Sequence, residues 1–305
     1  MASCHLVLPM QVYGANVIGN GFVAGLPGMS AVYGFAHALE REIRDLLDEQ
    51  GRNTARAEVM SVTLAIEELE RDAGHARHVV YTAQAAGAAT KGAPIVDERT
   101  ARIRQTLILE IECNDEGRDA LDRLLIGGEL AALLGNLRYA GGTLTVRPRR
   151  IRIEASLAEA LARVPASAFL LEDRSELLAK QQPGDRDRLD TLLRLISRPR
   201  RKPAATEGEH EQASAADQDY LGLLLPLAVG FVLLEHPRHR RGVRGGYPHA
   251  YAEPVIGLAR ARTAASVRAA LSDPERGSPA ISWMPDQDTP NSYIIKGGAP
   301  CQTNP

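Results

Sequence analysis

The amino-acid sequence predicts an α+β fold built on an antiparallel sheet, and three observations predict it. Strand-like and helix-like stretches follow one another in mixed order: strand–helix, strand–strand, helix–strand. A parallel βαβ sheet would need regular alternation. A long β-prone run is marked by Ile103, Thr106, Ile108 and Ile111. Residues 29–51 carry a clean helical period, with Met29, Val32, Phe35, Leu39, Ile43, Leu46 and Leu47 at three- and four-residue steps.

Taken in order, "HLVLPMQVY" (5–13) predicts a first strand and "GANVIGNGFVAGLPG" (14–28) a loop. Ser30 is placed to cap the helix that follows, and Gly51 to end it. Residues 57–70 fit a strand by their β-branched content and a helix by their Ala and Glu. Residues 75–84 predict a strand, and 90–115 a loop and then a long strand. Residues 117–142 predict a helix broken near Gly127–Gly128 and stopped by Gly141–Gly142. An extended stretch interrupted by Pro148 (143–155) and a short helix (156–167) come next. A strand with a polar helix (168–182) and a charged amphipathic helix (185–199) follow. "YLGLLLPLAVGFVLLE" (220–235) is short for a membrane span and carries Pro226 and Gly230, so it predicts a buried helix or strand pair. Residues 199–218 are rich in charge, Ala, Pro and Ser and predict a flexible loop; 296–305 predict a disordered tail.

The 305 residues allow one large domain or two small ones. Aromatic residues make up 4%, which argues against an extended base-stacking platform. A net charge of −2 argues against a free-standing, non-specific nucleic-acid binder. Cys4, Cys113 and Cys301 are odd in number and far apart, so a reducing compartment, the cytoplasm, is expected rather than a disulfide framework.

The glycine loop is the first candidate site. Gly19, Gly21 and Gly25 approach a dinucleotide fingerprint with one residue too many, and no Gly-Lys-Ser/Thr follows. Two readings remain: backbone positions that only glycine occupies, or N–H groups that face the phosphates of a polymer. His75-x-x-His78 and His236-x-x-His239 have chelating spacings but no cysteine nearby, so neither metal nor cofactor is expected. His37 lies mid-helix among Phe35, Ala38 and Leu39, which favours a core or interface histidine over a general base. Three arginine clusters, 147–152, 198–202 and 238–244, stand out on a near-neutral chain. Arginine offers bidentate phosphate contacts, so they point to a nucleic-acid backbone; the bland alternative is a solvated face paired with Asp and Glu.

A resemblance sharpens these alternatives. Leu8-Pro9, Ala15-Asn16, Gly25-Leu26-Pro27 and the run Gly34-Phe35-Ala36-His37-Ala38-Leu39-Glu40-Arg41 are similar to the opening of a known family. Weaker echoes run through 94–112, the Ala140-Gly141-Gly142 element, 168–178 and 247–261. The chain resembles the RAMP-type subunit that caps the crRNA 5′ end in type I-F CRISPR surveillance (Csy) complexes.

The resemblance implies a modified ferredoxin-like (RRM-like) fold with a helical insertion. It divides the chain into a core (1–155), an insertion (156–218), strands and a helix that complete the core (219–295), and a tail (296–305). It implies a non-catalytic subunit that holds the crRNA 5′ handle. Its partners would be the large subunit and the repeated backbone subunit, with target DNA reached through the assembled complex and no membrane. Asn16 and Asn20 are then candidates for phosphates and base edges, and Arg138, Arg147, Arg149 and Arg150 for handle phosphates. Arg240, Arg241, Arg244 and His249 are further RNA candidates, and Gly25, Pro27, Gly28, Gly141 and Gly142 shape the loops. The competing functions are a RAMP-type endoribonuclease that uses His37 or His249, and a dinucleotide-dependent enzyme.

Overall fold

The structure is a computed structural model that describes residues 2–20, 22–72, 75–78, 95–180, 186–197, 223–241, 247–273 and 277–299. The flexible loop expected at 199–218 lies outside these residues.

Strand β1 (Ala2–Asn16) is longer than the predicted 5–13 and forms one of the two most extensive pairings of the sheet. Its partner β5 (Thr100–Cys113) runs antiparallel, with Leu6 opposite Leu109 and Met10 opposite Gln105. Helix α1 (Met29–Glu49) follows the glycine loop. Gly28, not Ser30, is its N-cap, and no side chain caps it. The ambiguous 57–70 is a strand, β2 (Ala57–Arg71), because it buries apolar residues between β5 and a later strand. A separate two-stranded ribbon joins β3 (His75–His78) to β4 (Ile95–Glu98).

Helices α2 (Asp115–Gly127) and α3 (Glu129–Asn136) break where the sequence signals it, at Gly128 with φ 81°. The helix does not reach Gly141. It stops at Asn136, and β6 (Arg138–Tyr139) turns through Ala140 and Gly141 into β7 (Gly142–Val146). The stop lets Tyr139 bury its ring edge-on to Phe35 of α1. A 3-10 turn at Pro148–Arg150 leads to β8 (Arg152–Glu154).

The strand that the sequence predicts at the start of 168–182 forms inside the expected insertion. Between α4 (Leu157–Ala162) and α5 (Arg188–Ile196) lies β9 (Phe169–Asp173), which pairs with both β2 and a C-terminal strand. The described part of 220–235 is neither helix nor strand pair but one strand, β10 (Leu223–Leu233). It is followed by β11 (Ala252–Thr263), α6 (Ala264–Leu271), β12 (Ser282–Pro285) and β13 (Ser292–Gly298). Lys296–Gly298, expected in a disordered tail, are thus part of the sheet.

The main sheet runs β12-β13-β10-β11-β9-β2-β5-β1-β7-β6, with β8 beside β1. Trp283 of β12 pairs back to Val62 of β2, which closes six strands into a ring. Trp283 is fully buried and donates its indole N–H to the Leu171 carbonyl at 3.0 Å. The fold is therefore α+β and antiparallel, as the sequence predicts.

The two faces of β1 and β5 are treated differently. One face carries Leu6, Leu8, Ile103, Leu107 and Leu109 under α1, α2 and α3, in the largest apolar cluster. The other carries Val7 and Ile108 under α4 and α6. Alternation along each strand produces both sets at once. Cys4 and Cys113 meet in the core with sulfurs 3.9 Å apart, both free thiols. Burial pushes the Cys4 thiol up to about 12.

Candidate nucleic-acid interface

The cover of α4 and α6 ends beyond Val7 and Ile108. Continuing the alternation, the same face of β1 shows Pro9, Gln11 and Tyr13, and that of β5 shows Arg104 and Arg102. Thr143 and Thr145 of β7, opposite Tyr13 and Gln11, extend it. Among the described residues, half of one sheet face is thus left open and polar.

A cleft of about 260 Å³ lies in this open half. Gln11, Glu67, Arg104, Thr145, Arg147 and Arg150 are among its lining residues. Glu67 occupies a register shift of β2, between Ile66 and Glu68. Its carboxylate accepts from the Thr106 hydroxyl at 3.1 Å and lies 3.4 Å from Arg104, which also pairs with Glu68 at 3.0 Å. Beside the cleft, Arg102 stands over the exposed ring of Tyr13, 5.3 Å from its centroid.

The turn that carries Arg147, Arg149 and Arg150 is held by its own backbone. The Arg150 N–H donates to the Arg147 carbonyl at 2.8 Å, and the Arg152 guanidinium donates to the carbonyls of Arg149 and Ile151 at 2.7 Å each. Pro148 sits at the first position of the turn, where its fixed φ fits. Among the described residues, no ion pair forms at Arg147, Arg149 or Arg150. Arg147 and Arg150 line the cleft and Arg149 does not. Arg138 donates to the Thr143 hydroxyl on the same sheet edge.

The glycine loop is built for close packing. A Cβ on Gly19 would lie 2.6 Å from the Ala228 Cβ of β10, and one on Gly28 would lie 3.6 Å from it. The loop thereby docks on the far part of the sheet. Asn16 and Asn20 use their side-chain oxygens locally: Asn16 accepts from Ile18 N–H at 2.8 Å, and Asn20 from Phe22 and Val23 N–H at 2.9 Å each. These oxygens are turn-formers, while the Asn20 Nδ2, the group that would donate to a phosphate or base edge, is buried without a hydrogen-bond partner among the described residues.

The two segments that carried the resemblance touch. The Asn16 N–H donates to the Ala140 carbonyl at 2.8 Å. A Cβ on Gly142 would meet the Tyr13 carbonyl and Ala15 nitrogen at 2.8 Å. Gly141, at φ 78°, and Gly142 are what let the β6–β7 turn lie on β1. Gly25 takes φ 137° in the loop, and Pro27 precedes the helix cap.

Arg240, Arg241 and His249 lie elsewhere, in the connection between β10 and β11. Three strands, β9, β2 and β5, separate β11 from β1. Glu235 pairs with Arg238 at 3.3 Å and with Arg240, and accepts the Tyr251 N–H at 3.0 Å. That N–H, with the two guanidiniums, holds the Glu235 carboxyl below the usual range. Arg240 stands 4.6 Å from the Tyr251 centroid, and His249 packs edge-on to the same ring. This is a knot of internal contacts in which Arg241 is exposed. Arg244 lies outside the described residues.

His37 is half exposed on α1, beside Glu40 at 3.8 Å. Helix α1 covers the opposite face of the sheet from the cleft. Among the described residues, no three His, Cys, Asp or Glu side chains gather to hold a metal, and no helix is long and apolar enough to cross a membrane. Sequence reasoning missed Tyr13, Gln11, Glu67, Arg104 and Thr145. The signal was there: the apolar positions on one face of β1 and β5 give way to polar ones halfway along.

Residues 6–295 match the family model described as CRISPR-associated protein (Cas_Csy2). A search of the curated proteins gives no match.

Proposed function

Because the chain belongs to the Cas_Csy2 family of CRISPR-associated proteins, subunits of the type I-F Csy complex, we propose that it holds the repeat-derived 5′ handle of crRNA across the open half of its sheet. One observation carries this reading: among the described residues, Arg147 and Arg150 have no ion pair and line a cleft beside an exposed tyrosine on an uncovered sheet face. Guanidiniums in that state are available for phosphates, and an aromatic ring on a sheet is where an unstacked RNA base settles. The near-neutral net charge fits a subunit that shares its RNA with neighbours.

The subunit holds RNA without cutting it. The two histidines considered as general base for a RAMP-type ribonuclease both lie away from the cleft. His37 sits on the helix that covers the other face, and His249 packs against Tyr251 at the far connection. In the complex, the subunit docks to the large subunit and to the first backbone subunit, and meets target DNA through that assembly.

The test is to isolate the tagged chain from a host that expresses the full operon and to sequence the RNA that accompanies it. Short RNAs that share one repeat-derived 5′ end, with the other subunits in the same fraction, are expected. A chain that emerges alone and free of RNA would refute the proposal. So would metal-free cleavage of repeat RNA that is lost in His37→Ala or His249→Ala.

A further inference from the structure

The cleft on the open sheet face is bipolar, and a phosphate site alone does not account for it. Arg147 and Arg150 attract an anion, while in the same cleft Glu67, paired with Arg104, presents acceptor oxygens that an anion cannot satisfy. A ligand that satisfies both carries a negative group at one end and hydrogen-bond donors at the other. A nucleotide has that shape.

Glu67 is held to receive donors. The register shift between Ile66 and Glu68 sets its position on β2. Thr106 holds one carboxylate oxygen and Arg104 approaches the other. Its side chain is 19% exposed, enough to be reached and too little to be fully solvated. A carboxylate has about four lone-pair sites. Two are engaged here, one on each oxygen, which leaves each oxygen with capacity for a further donor.

Two parallel acceptors select among the bases. Guanine presents two adjacent donors, N1–H and the 2-amino group, on its Watson–Crick edge. Adenine and cytosine each present one amino group beside an unprotonated ring nitrogen, which would face the second oxygen. Uracil presents one N–H between two carbonyls. Gln11 and Thr145 lie on the strands between Glu67 and the arginine turn, and offer an amide and a hydroxyl to the rest of the nucleotide. The strip from Thr145 across β1 and β5 to Glu67 is three strand spacings wide, about 14 Å.

We infer that the cleft takes one guanine of the bound RNA, with its Watson–Crick edge on Glu67 and its phosphate on Arg147 and Arg150. This rests on the handle-binding reading above, and adds base specificity to it. Glu67 is then the residue that makes this subunit read sequence at one position and not only shape.

The experiment scans the repeat-derived handle RNA against the full chain by fluorescence anisotropy. Each guanine is replaced in turn by inosine, which keeps N1–H and loses the 2-amino group. One position is expected to lose about tenfold in affinity, the usual weight of a hydrogen bond to a charged group. Glu67→Gln keeps the shape, and is expected to bind guanine and inosine alike at that position. Its melting temperature is compared with the wild type, and Gln11→Ala, two strands away on β1, is expected to weaken binding several-fold.

A handle without guanine overturns the inference. So does indifference to inosine at every position, or discrimination that survives in Glu67→Gln. If those results come with tight wild-type binding that Arg147→Ala and Arg150→Ala weaken, the base specificity falls and the handle-binding role stands. If the wild type binds no handle RNA, both fall. Free guanosine monophosphate is run as a competitor: displacement of the RNA at equal concentrations would make the site one for a free nucleotide and overturn the RNA assignment.

Discussion

The double substitution Arg147→Ala with Arg150→Ala tests the interface most directly. Both guanidiniums line the cleft, and neither forms an ion pair among the described residues. Their removal leaves no carboxylate orphaned, and the 3-10 turn keeps its backbone bonds. Stability should therefore move by no more than about 0.5 kcal/mol, as at ordinary surface sites. RNA affinity should respond through salt. Each single-strand phosphate contact contributes about 0.7 to the slope of log K against log salt, so two contribute about 1.4. Raising salt fourfold, from about 50 to about 200 mM, then costs the wild type about sevenfold more affinity than the variant. The assay is anisotropy with labelled handle RNA across that range, on the full chain. Arg149→Ala, one residue from Arg150 and outside the cleft lining, should keep the wild-type slope. An unchanged slope in the double variant, or an equal loss in Arg149→Ala, would refute the placement of RNA in the cleft.

Three further outcomes follow from the packing. In Gly230→Ala the new Cβ would lie 1.9 Å from the Tyr293 carbonyl at a φ of 154°; a loss of about 1–3 kcal/mol is expected by thermal unfolding, and an unchanged melting temperature would contradict the closed strand ring. Burial lowers the His5 pKa below its ordinary value, against the pull of Glu110 on β5 and Glu159 on α4. The unfolded chain then binds the proton more readily, so stability is full above about pH 6.5 and falls as pH drops toward the lower folded value. His5→Gln should lose less melting temperature than the wild type between pH 7.5 and 5.5, and an equal drop in both would show that His5 does not titrate this way. Because Gly19 and Gly28 pack on Ala228, NAD and NADP should leave the melting temperature of the wild type unmoved; a saturable rise would restore the loop as a nucleotide cradle.

Much of the fold was legible because it rests on local pattern. The three- and four-residue spacing from Met29 to Leu47 specifies one face of α1, and the helix buries all of those residues but Leu46, which is half-buried. The α2–α3 break was readable from two glycines, one of which takes a positive φ. Residues 57–70 were not readable, since a run of Val, Leu, Ala and Glu suits either period. Pairing with β5 on one side and β9 on the other decided for the strand, by burying Val62, Leu64 and Ala65. Tertiary partners override propensity where propensity is balanced.

The site divides in the same way. The sequence by itself determined that arginines cluster at 147–152 and that the Ala-Gly-Gly and Gly-Leu-Pro elements matter, because composition and glycine placement are local. It also determined the family, through short motifs spread over most of the chain. Only the tertiary structure separated Arg147 and Arg150 from Arg240 and Arg241, and brought Gln11, Glu67, Arg104 and Thr145 to one cleft. Those side chains come from four strands that are distant in the chain and adjacent in the sheet. Their neighbourhood is set by strand order and register, which long-range hydrogen bonding and core burial decide and which no local spacing records.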